Sequence, residues 1–398
     1  MIPRHGRASL IIAAGFLLRA FAGQALFWIS YLRLPIARPL QLGDGLWFFA
    51  VDGAFYVQYA QHPANILANA RYPSHVFVQV FTLFCTLFGA IASTAILMNC
   101  AAYLATCALI LRIADRHAGR SRGIWAAAGA PHAHPGPSTT LGMTGNFTLA
   151  AIAFGPAMLL WSTQPLKDTF FFLLIVALIA LAAWWAERQS IAIAIGMMIV
   201  MYAIAGTRWY FAAIALGALL IFFAMTAPKR SILLFLALGI AFRFGGSTDI
   251  PPLFAKNYPA SMRAGFENTP GATAIKAGPA APTQTVAGAA ATFVPRSVAQ
   301  EANLVRIGGG RGFWLLADLD TVVFSAVIAI AIALCVRAIR GGARVTPLFV
   351  FVALLFVITA APMIYTVTNF GTLFRLRQML YLLAALAPIT LDRPAPAR

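Results

Sequence analysis

The run Leu166-Lys167-Asp168-Thr169-Phe170-Phe171-Phe172-Leu173-Leu174-Ile175-Val176-Ala177-Leu178-Ile179-Ala180-Leu181-Ala182-Ala183-Trp184-Trp185-Ala186 decides the fold class. After Asp168 it carries no charge until Glu187, and its apolar residues are continuous rather than alternating. A helix of about 20 apolar residues matches the hydrocarbon thickness of a bilayer. Lipid offers no partner to open backbone groups, so a spanning segment must be a helix or part of a closed barrel. Barrel strands would alternate apolar and polar residues. Comparable runs lie at roughly 8–30, 75–92, 93–113, 147–163, 191–206, 209–227, 230–243, 318–337, 346–366 and 374–391. The sequence therefore predicts an all-α polytopic membrane helix bundle of about nine to eleven spans. It divides into an N-terminal membrane bundle over 1–243, a polar region over 244–316 and C-terminal spans over 317–398.

Composition agrees. The 398 residues are 61% hydrophobic and 10% charged, with a mean hydropathy of +0.82. Soluble domains are about 45–50% apolar and about 25% charged. The net charge of +18 does not point to nucleic acid, because the basic residues lie mostly in short loops between apolar runs. There Lys and Arg mark cytoplasmic loops. Cys85, Cys100, Cys107 and Cys335 all fall in apolar runs, which predicts free buried thiols. His132 and His134 have no acidic or cysteine neighbour, so no metal site is expected. The basic N-terminus before a long apolar run predicts an uncleaved first span with its start inside.

Charge also fixes topology. Arg337, Arg340 and Arg344 cluster between two apolar runs, which places that loop in the cytoplasm. Counting back puts 244–316 outside, Thr207-Arg208-Trp209-Tyr210 outside, Glu187-Arg188 inside and Lys167-Asp168 outside. The basic loop 112–122 falls inside. Counting forward from an inside N-terminus puts 31–74 outside. The two counts meet only if 75–113 holds an odd number of crossings, yet two apolar runs lie there; one of them, 75–92, then lies along the surface or re-enters. Pro131, Pro135 and Pro137 mark 126–146 as an insertion rather than a span. The 244–316 region shows no clear helix or strand period, and partial disorder is expected there.

Only eleven residues are acidic, and two of them, Asp44 and Asp52, sit among aromatics in the first outside loop, Gly43 to Tyr56. If 52–60 is helical, Asp52, Tyr56 and Tyr59 share one face, and such a carboxylate can act as a general base. Asp44-Gly45 and Asp52-Gly53 are also turn dipeptides, so both roles stay open. The topology puts Arg71, Lys167, Asp168, Arg208 and the Asn369-Phe370-Gly371-Thr372-Leu373-Phe374-Arg375-Leu376-Arg377 stretch on the same outer face. Basic residues outside run against the positive-inside tendency, and guanidinium groups pair with phosphate through forked hydrogen bonds. For Asp168, a helix-dipole role behind Pro165 is the alternative. For Arg208, beside Trp209 and Tyr210, the alternative is an ordinary interfacial residue. Arg19 and Gln24 interrupt the first span; Arg19 either snorkels or faces the bundle interior.

The order of these features resembles the GT-C superfamily of integral-membrane glycosyltransferases, which includes the protein O-mannosyltransferases and the lipid A aminoarabinose transferases. The residues that carry the resemblance are Asp52-Gly53-Ala54-Phe55-Tyr56 after a first span, Arg71-Tyr72-Pro73 before an aromatic run, an Asn99-led span, Trp161-Ser162-Thr163-Gln164-Pro165-Leu166-Lys167-Asp168, and Asn-x-Gly-Thr-x-x-Arg-x-Arg at 369–377. The resemblance covers most of 8–243 and 345–391. It departs at Asp52-Gly53, where the family often has paired acids, at Tyr72-Pro73 in place of Pro-Pro, and at the 126–146 insertion.

What the resemblance implies is a sugar donor linked to a polyprenyl phosphate, a membrane lipid, and an acceptor that the sequence does not identify. Asp52 would be the catalytic acid of the first outside loop, with Asp44 second, and Asp168 the acid of the next outside loop. Arg375, Arg377, Arg208, Lys167, Arg71 and Tyr56 are the candidates for holding substrate and phosphate. No metal ligand is assigned; a divalent cation is compatible but not required, since basic side chains can neutralise the phosphate. The expected location is a bacterial inner membrane with the site facing outside. Two other functions are weighed. A polysaccharide polymerase or ligase would have a late outside loop rich in Arg and His, but 244–316 contains no histidine. A transporter or flippase should show an internal repeat with paired interrupted spans, and none is visible.

Overall fold

The structure is a computed structural model of the whole chain, describing residues 4–62, 74–127, 139–226, 228–246, 263–265, 273–307 and 314–392. Arg71, most of the 126–146 insertion and much of 244–272 lie outside the described residues.

The architecture is all-α with two small hairpins. Helix α1 (Arg4–Tyr31) leads to a hairpin of β1 (Gln41–Gly43) and β2 (Leu46–Trp47). Helix α2 (Asp52–Gln61), α3 (His75–Phe88) and α4 (Ala92–Ala127) follow. Then come α5 (Thr139–Phe154), α6 (Pro156–Ser162), α7 (Asp168–Trp185), α8 (Ile191–Thr226) and α9 (Pro228–Gly245). The polar region contributes β3 (Ile275–Ala277), α10 (Gln284–Phe293), α11 (Arg296–Glu301) and β4 (Val305–Ile307). Helices α12 (Trp314–Arg340), α13 (Pro347–Thr366), α14 (Phe370–Leu376) and α15 (Gln378–Leu386) complete the chain.

Among the described residues, six helices are long and apolar enough to cross a membrane, or seven if the bent pair α5–α6 is one span. This is fewer than the nine to eleven expected from the apolar runs, and the structure shows why. Helix α3, with 14 residues, and the apolar part of α9 are shorter than a span. The last run is split between α14 and α15. The runs 191–206 and 209–227 form the single element α8, with non-helical backbone at Arg208. A straight helix of 36 residues would be about 54 Å long, well beyond the bilayer core. Contacts along α7 show that α8 instead reverses. Its Gly196 faces Leu181 near the end of α7, Phe211 packs on Phe171 near the start, and Phe223 packs on Trp185 at the end again. Helix α9 then returns, bringing Gly245 against Tyr202.

The surplus run at 75–92 is resolved in the same way. Helix α3 starts beside Thr207 and Lys167. It ends at Gly89, whose φ of +93° suits glycine, and α4 begins at Ala92 in a cluster with Phe27 and Leu46 of the α1–hairpin junction. Both ends of α3 therefore lie at one end of the bundle, and only α4 crosses. At the opposite end Arg116 of α4 pairs with Glu187 after α7.

The α5–α6 bend of 52° follows from Pro156, which has no N–H to offer the carbonyl of Ile152. Arg19 supplies the missing donors. Its Nη2 donates to the Ile152 carbonyl at 2.6 Å and its Nη1 to that of Ala153 at 2.8 Å. The guanidinium stacks on Tyr103 at 4.0 Å and is buried. Of the two readings of Arg19, the inward-facing one holds.

The described residues of the polar region form a small packed unit. Strands β3 and β4 pair antiparallel around α10 and α11. Thr283 caps α10 by accepting from the Val286 N–H, and Gly288 lies against the Ile364 carbonyl of α13. Small residues (Ala287, Gly288, Ala291) let α10 sit close to the bundle, a contact of a kind that composition does not reveal.

Candidate active site

Four elements converge at one end of the bundle. Helix α7 begins at Asp168, positioned by the preceding turn. Asn99 of α4 grips that turn, its Nδ2 donating to the carbonyls of Ser162 and Gln164, each at 2.9 Å. Pro165 packs on Gly53, where any side chain would collide with its ring. That contact brings the start of α2, and with it Asp52, against the start of α7. Arg208 sits at the reversal of α8. Arg375 is carried by α14, whose start is fixed by Asn369: the side-chain oxygen accepts from the Thr372 N–H at 3.3 Å. The polar region holds this turn as well, since the Phe370 N–H donates to the Thr273 carbonyl at 2.8 Å and the Ile275 N–H to that of Thr368 at 2.6 Å.

The charged groups form one chain. Asp168 accepts from Arg208 Nη2 on one oxygen and from Arg375 Nε, at 2.5 Å, on the other. Arg375 Nη1 donates to Asp52 Oδ2 at 2.7 Å. Arg208 Nη1 donates to the Tyr210 hydroxyl at 2.7 Å, and its guanidinium lies over Phe171. Lys167 Nζ donates to Ser74 Oγ at 2.5 Å. Tyr56, one turn beyond Asp52, is buried with its ring edge-on to Phe77. Exposure separates the two acids: the Asp168 side chain is 1% exposed and that of Asp52 is 48% exposed.

Two carboxylates thus meet two guanidinium groups, Arg208 and Arg375, with the Lys167 amine beside them, and Lys167 when protonated adds an excess of one positive charge that suits an anionic ligand. Arg375 Nη2 is buried without a hydrogen-bond partner among the described residues, so Arg375 retains donor capacity. Burial, with Arg208 and Arg375 close by, pulls the Lys167 ammonium down to about 7 against the opposing effect of Asp168 and Asp52. Burial also opposes the charge on Arg375, but Asp168 and Asp52 outweigh it and hold that guanidinium above its ordinary range.

The sequence reading expected Asp52, Asp168, Lys167, Arg208, Arg375 and Tyr56 in one place, and the structure brings them together. Two candidates fall elsewhere. Arg377 is not beside Arg375. It is fully buried, its Nη2 donating to Asp320 Oδ2 at 2.6 Å and its Nη1 to Thr321 Oγ1 at 2.8 Å. Residues two apart on a helix point to different sides, so Arg-x-Arg cannot aim both guanidinium groups at one ligand. Asp44 is exposed at the tip of the β1–β2 hairpin, where it and Gly45 have φ of +53° and +80°. Both central residues at positive φ make the primed turn that Asp-Gly favours, so here the turn reading describes the residue. Arg71 lies outside the described residues.

Sequence reasoning passed over Ser74 and Asp320. An acid inside an otherwise apolar run is itself a signal, so Asp320 was findable, whereas nothing marks Ser74 before the fold brings it to Lys167. Among the described residues there is no group of three or more His, Cys, Asp and Glu side chains placed to hold a metal ion. Comparison of this chain with family models, with curated proteins and with solved structures finds no match.

Proposed function

We propose that the chain is a membrane glycosyltransferase that moves a sugar from a polyprenyl-phosphate carrier to an acceptor at the outer face of a bacterial inner membrane. The observation that carries this reading is the half-exposed Asp52 carboxylate held against Arg375, with Asp168 and Arg208 buried behind as a brace. An accessible carboxylate supplies a base, and the adjoining excess of positive charge suits a phosphate leaving group. In the reaction, the acceptor hydroxyl attacks the anomeric carbon, the bond from that carbon to the phosphate oxygen breaks, and Asp52 takes the hydroxyl proton. Arg375 and Lys167 meet the charge that develops on the departing phosphate. Asp168 orients Arg375 and does not touch substrate. The outer-face assignment is supported by Arg116, Arg188, Arg337 and Arg340, which lie toward the bundle end away from the site, as cytoplasmic residues should.

A transporter is the second reading, because the α5–α6 bend resembles the broken helices that form transport sites. In those sites the freed backbone groups face the substrate. Here Arg19 takes the Ile152 and Ala153 carbonyls, and Asp320 Oδ1 accepts from the Ala157 N–H at 2.8 Å. The break is satisfied internally, which favours the enzyme. Native mass spectrometry of the detergent-purified protein should show a retained polyprenyl-phosphate lipid, and Asp52→Asn should lose sugar transfer from such a donor. Normal transfer by Asp52→Asn would remove Asp52 as the base; neither binding nor consumption of a lipid-linked sugar would sink the reading.

A further inference from the structure

Outside the site just described, a second buried charge cluster occupies the bundle interior. Asp320 of α12 is fully buried, and its two oxygens reach in different directions. Oδ1 accepts from the Ala157 N–H in the first turn of α6, at 2.8 Å. Oδ2 accepts from Arg377 Nη2 at 2.6 Å and from Gln378 Nε2 at 3.2 Å, at the junction of α14 and α15. Helix α6 runs directly into the turn that delivers Lys167 and Asp168. The α14–α15 junction follows Arg375 by two residues. The same two segments touch again nearer the site, where Trp161 of α6 meets Phe374 edge-on at 5.7 Å.

From this arrangement we infer that Asp320 is a positioning residue that sets the distance between Asp168 and Arg375. The inference rests on the reading of that pair as part of the active site. Arg375 is polarised onto Asp168 through Nε and onto Asp52 through Nη1, a geometry that demands α14 at a fixed height and rotation relative to α7. The edge-on contact of Trp161 with Phe374 joins α6 and α14 but does not by itself provide this fixed geometry. Asp320 provides it because one carboxylate grips both. Burying a charge is costly in a bilayer protein, and apolar packing could join these helices at lower cost. What apolar packing lacks is directional hydrogen bonding at both oxygens, which fixes rotation as well as distance. Arg377 is the counter-charge of this carboxylate, while Phe324 and Phe374 close over the guanidinium.

The test compares wild type with Asp320→Asn/Arg377→Gln. That double variant removes both charges and keeps an oxygen for the Ala157 N–H. Two readouts are taken in detergent: transfer from a polyprenyl-phosphate-linked sugar, and the drop in melting midpoint that Asp168→Asn causes in each background. If Asp320 positions Arg375, transfer falls at least about tenfold in a folded protein. The midpoint drop caused by Asp168→Asn also shrinks to less than about half its wild-type size, because the Asp168–Arg375 contact is already weakened. If Asp168→Asn does not fold, Arg375→Gln takes its place in the same cycle. An equal midpoint drop in both backgrounds overturns the inference, since a merely stabilising Asp320 leaves that coupling unchanged. Absence of transfer by the wild type counts against the glycosyltransferase reading, and the melting cycle still decides the role of Asp320.

Discussion

Asp52 and Asp168 share one guanidinium and have different things to lose. Asp168 stands between Arg208 and Arg375, almost without exposure. Asp168→Asn leaves Arg208 buried with its charge unmet, a change that costs about 3–5 kcal/mol. Asp52 is half in solvent, so Asp52→Asn should cost under about 1 kcal/mol while abolishing transfer. Unfolding of both variants in detergent checks the contrast; equal destabilisation would mean that Asp52 is as structural as Asp168. Lys167 adds a pH dependence. Its ammonium is lowered to about 7 from 10.5, so the folded protein gives up this proton before the unfolded chain does. Between these two values the unfolded state binds more protons, and stability rises with pH; below about 7 the full penalty is present. An anionic ligand favours the charged amine, so the affinity for a polyprenyl phosphate should be greatest below pH 7 and weaken above it. Binding measured across pH 6–9 checks this, and Lys167→Met should flatten the profile. These residues were legible in the sequence because charge is scarce in so apolar a chain. The topology count then assigned most of the stray charges to one face. Arg377 and Asp44 were misplaced for local reasons, helix rotation and turn backbone, that a count of sides does not contain.

At the scale of elements, the site depends on reversals. Helix α8 turns back at Arg208, whose φ of −149° and ψ of 82° leave the helical region. The turn is pressed against α3, where a Cβ on Gly206 would come within 2.3 Å of Val76 Cγ2 and 2.9 Å of the His75 ring. Gly206→Leu should therefore displace the start of α3, costing about 1–3 kcal/mol by overpacking, and pull Ser74 away from Lys167. A lowered melting midpoint together with altered pH dependence of phosphate binding is the expected result; a change in midpoint alone would mean that α3 does not govern Lys167. The break in α5–α6 makes a parallel case. Arg19→Lys keeps the charge but replaces a planar fork by a single ammonium. Its three carbonyl contacts cannot all be reproduced, and a loss of about 1–3 kcal/mol follows. The apolar runs announced nearly every helix. They did not announce which run reverses, because 191–206 and 209–227 are separated only by Thr207 and Arg208.

At the scale of the molecule, the two ends of the bundle differ in what they carry. One end gathers Asp52, Lys167, Asp168, Arg208 and Arg375, together with the β1–β2 hairpin and the α10–α11 unit. The other gathers the Arg116–Glu187 pair and the end of α12 with Arg337 and Arg340. Cytoplasmic loops collect Lys and Arg. At the site end Arg208 and Arg375 are instead committed to carboxylates. The second end, with Arg116, Arg188, Arg337, Arg340 and Arg344, should therefore face the cytoplasm although both ends contain arginine. In a background lacking the four native cysteines, Gln58→Cys on the exposed side of α2 should react with a membrane-impermeant maleimide in intact cells. Arg340→Cys should react only after the cells are opened. The opposite pattern would put the candidate site in the cytoplasm, where a soluble nucleotide-sugar donor would replace the lipid-linked one, and the net positive charge around Arg375 would then serve a diphosphate.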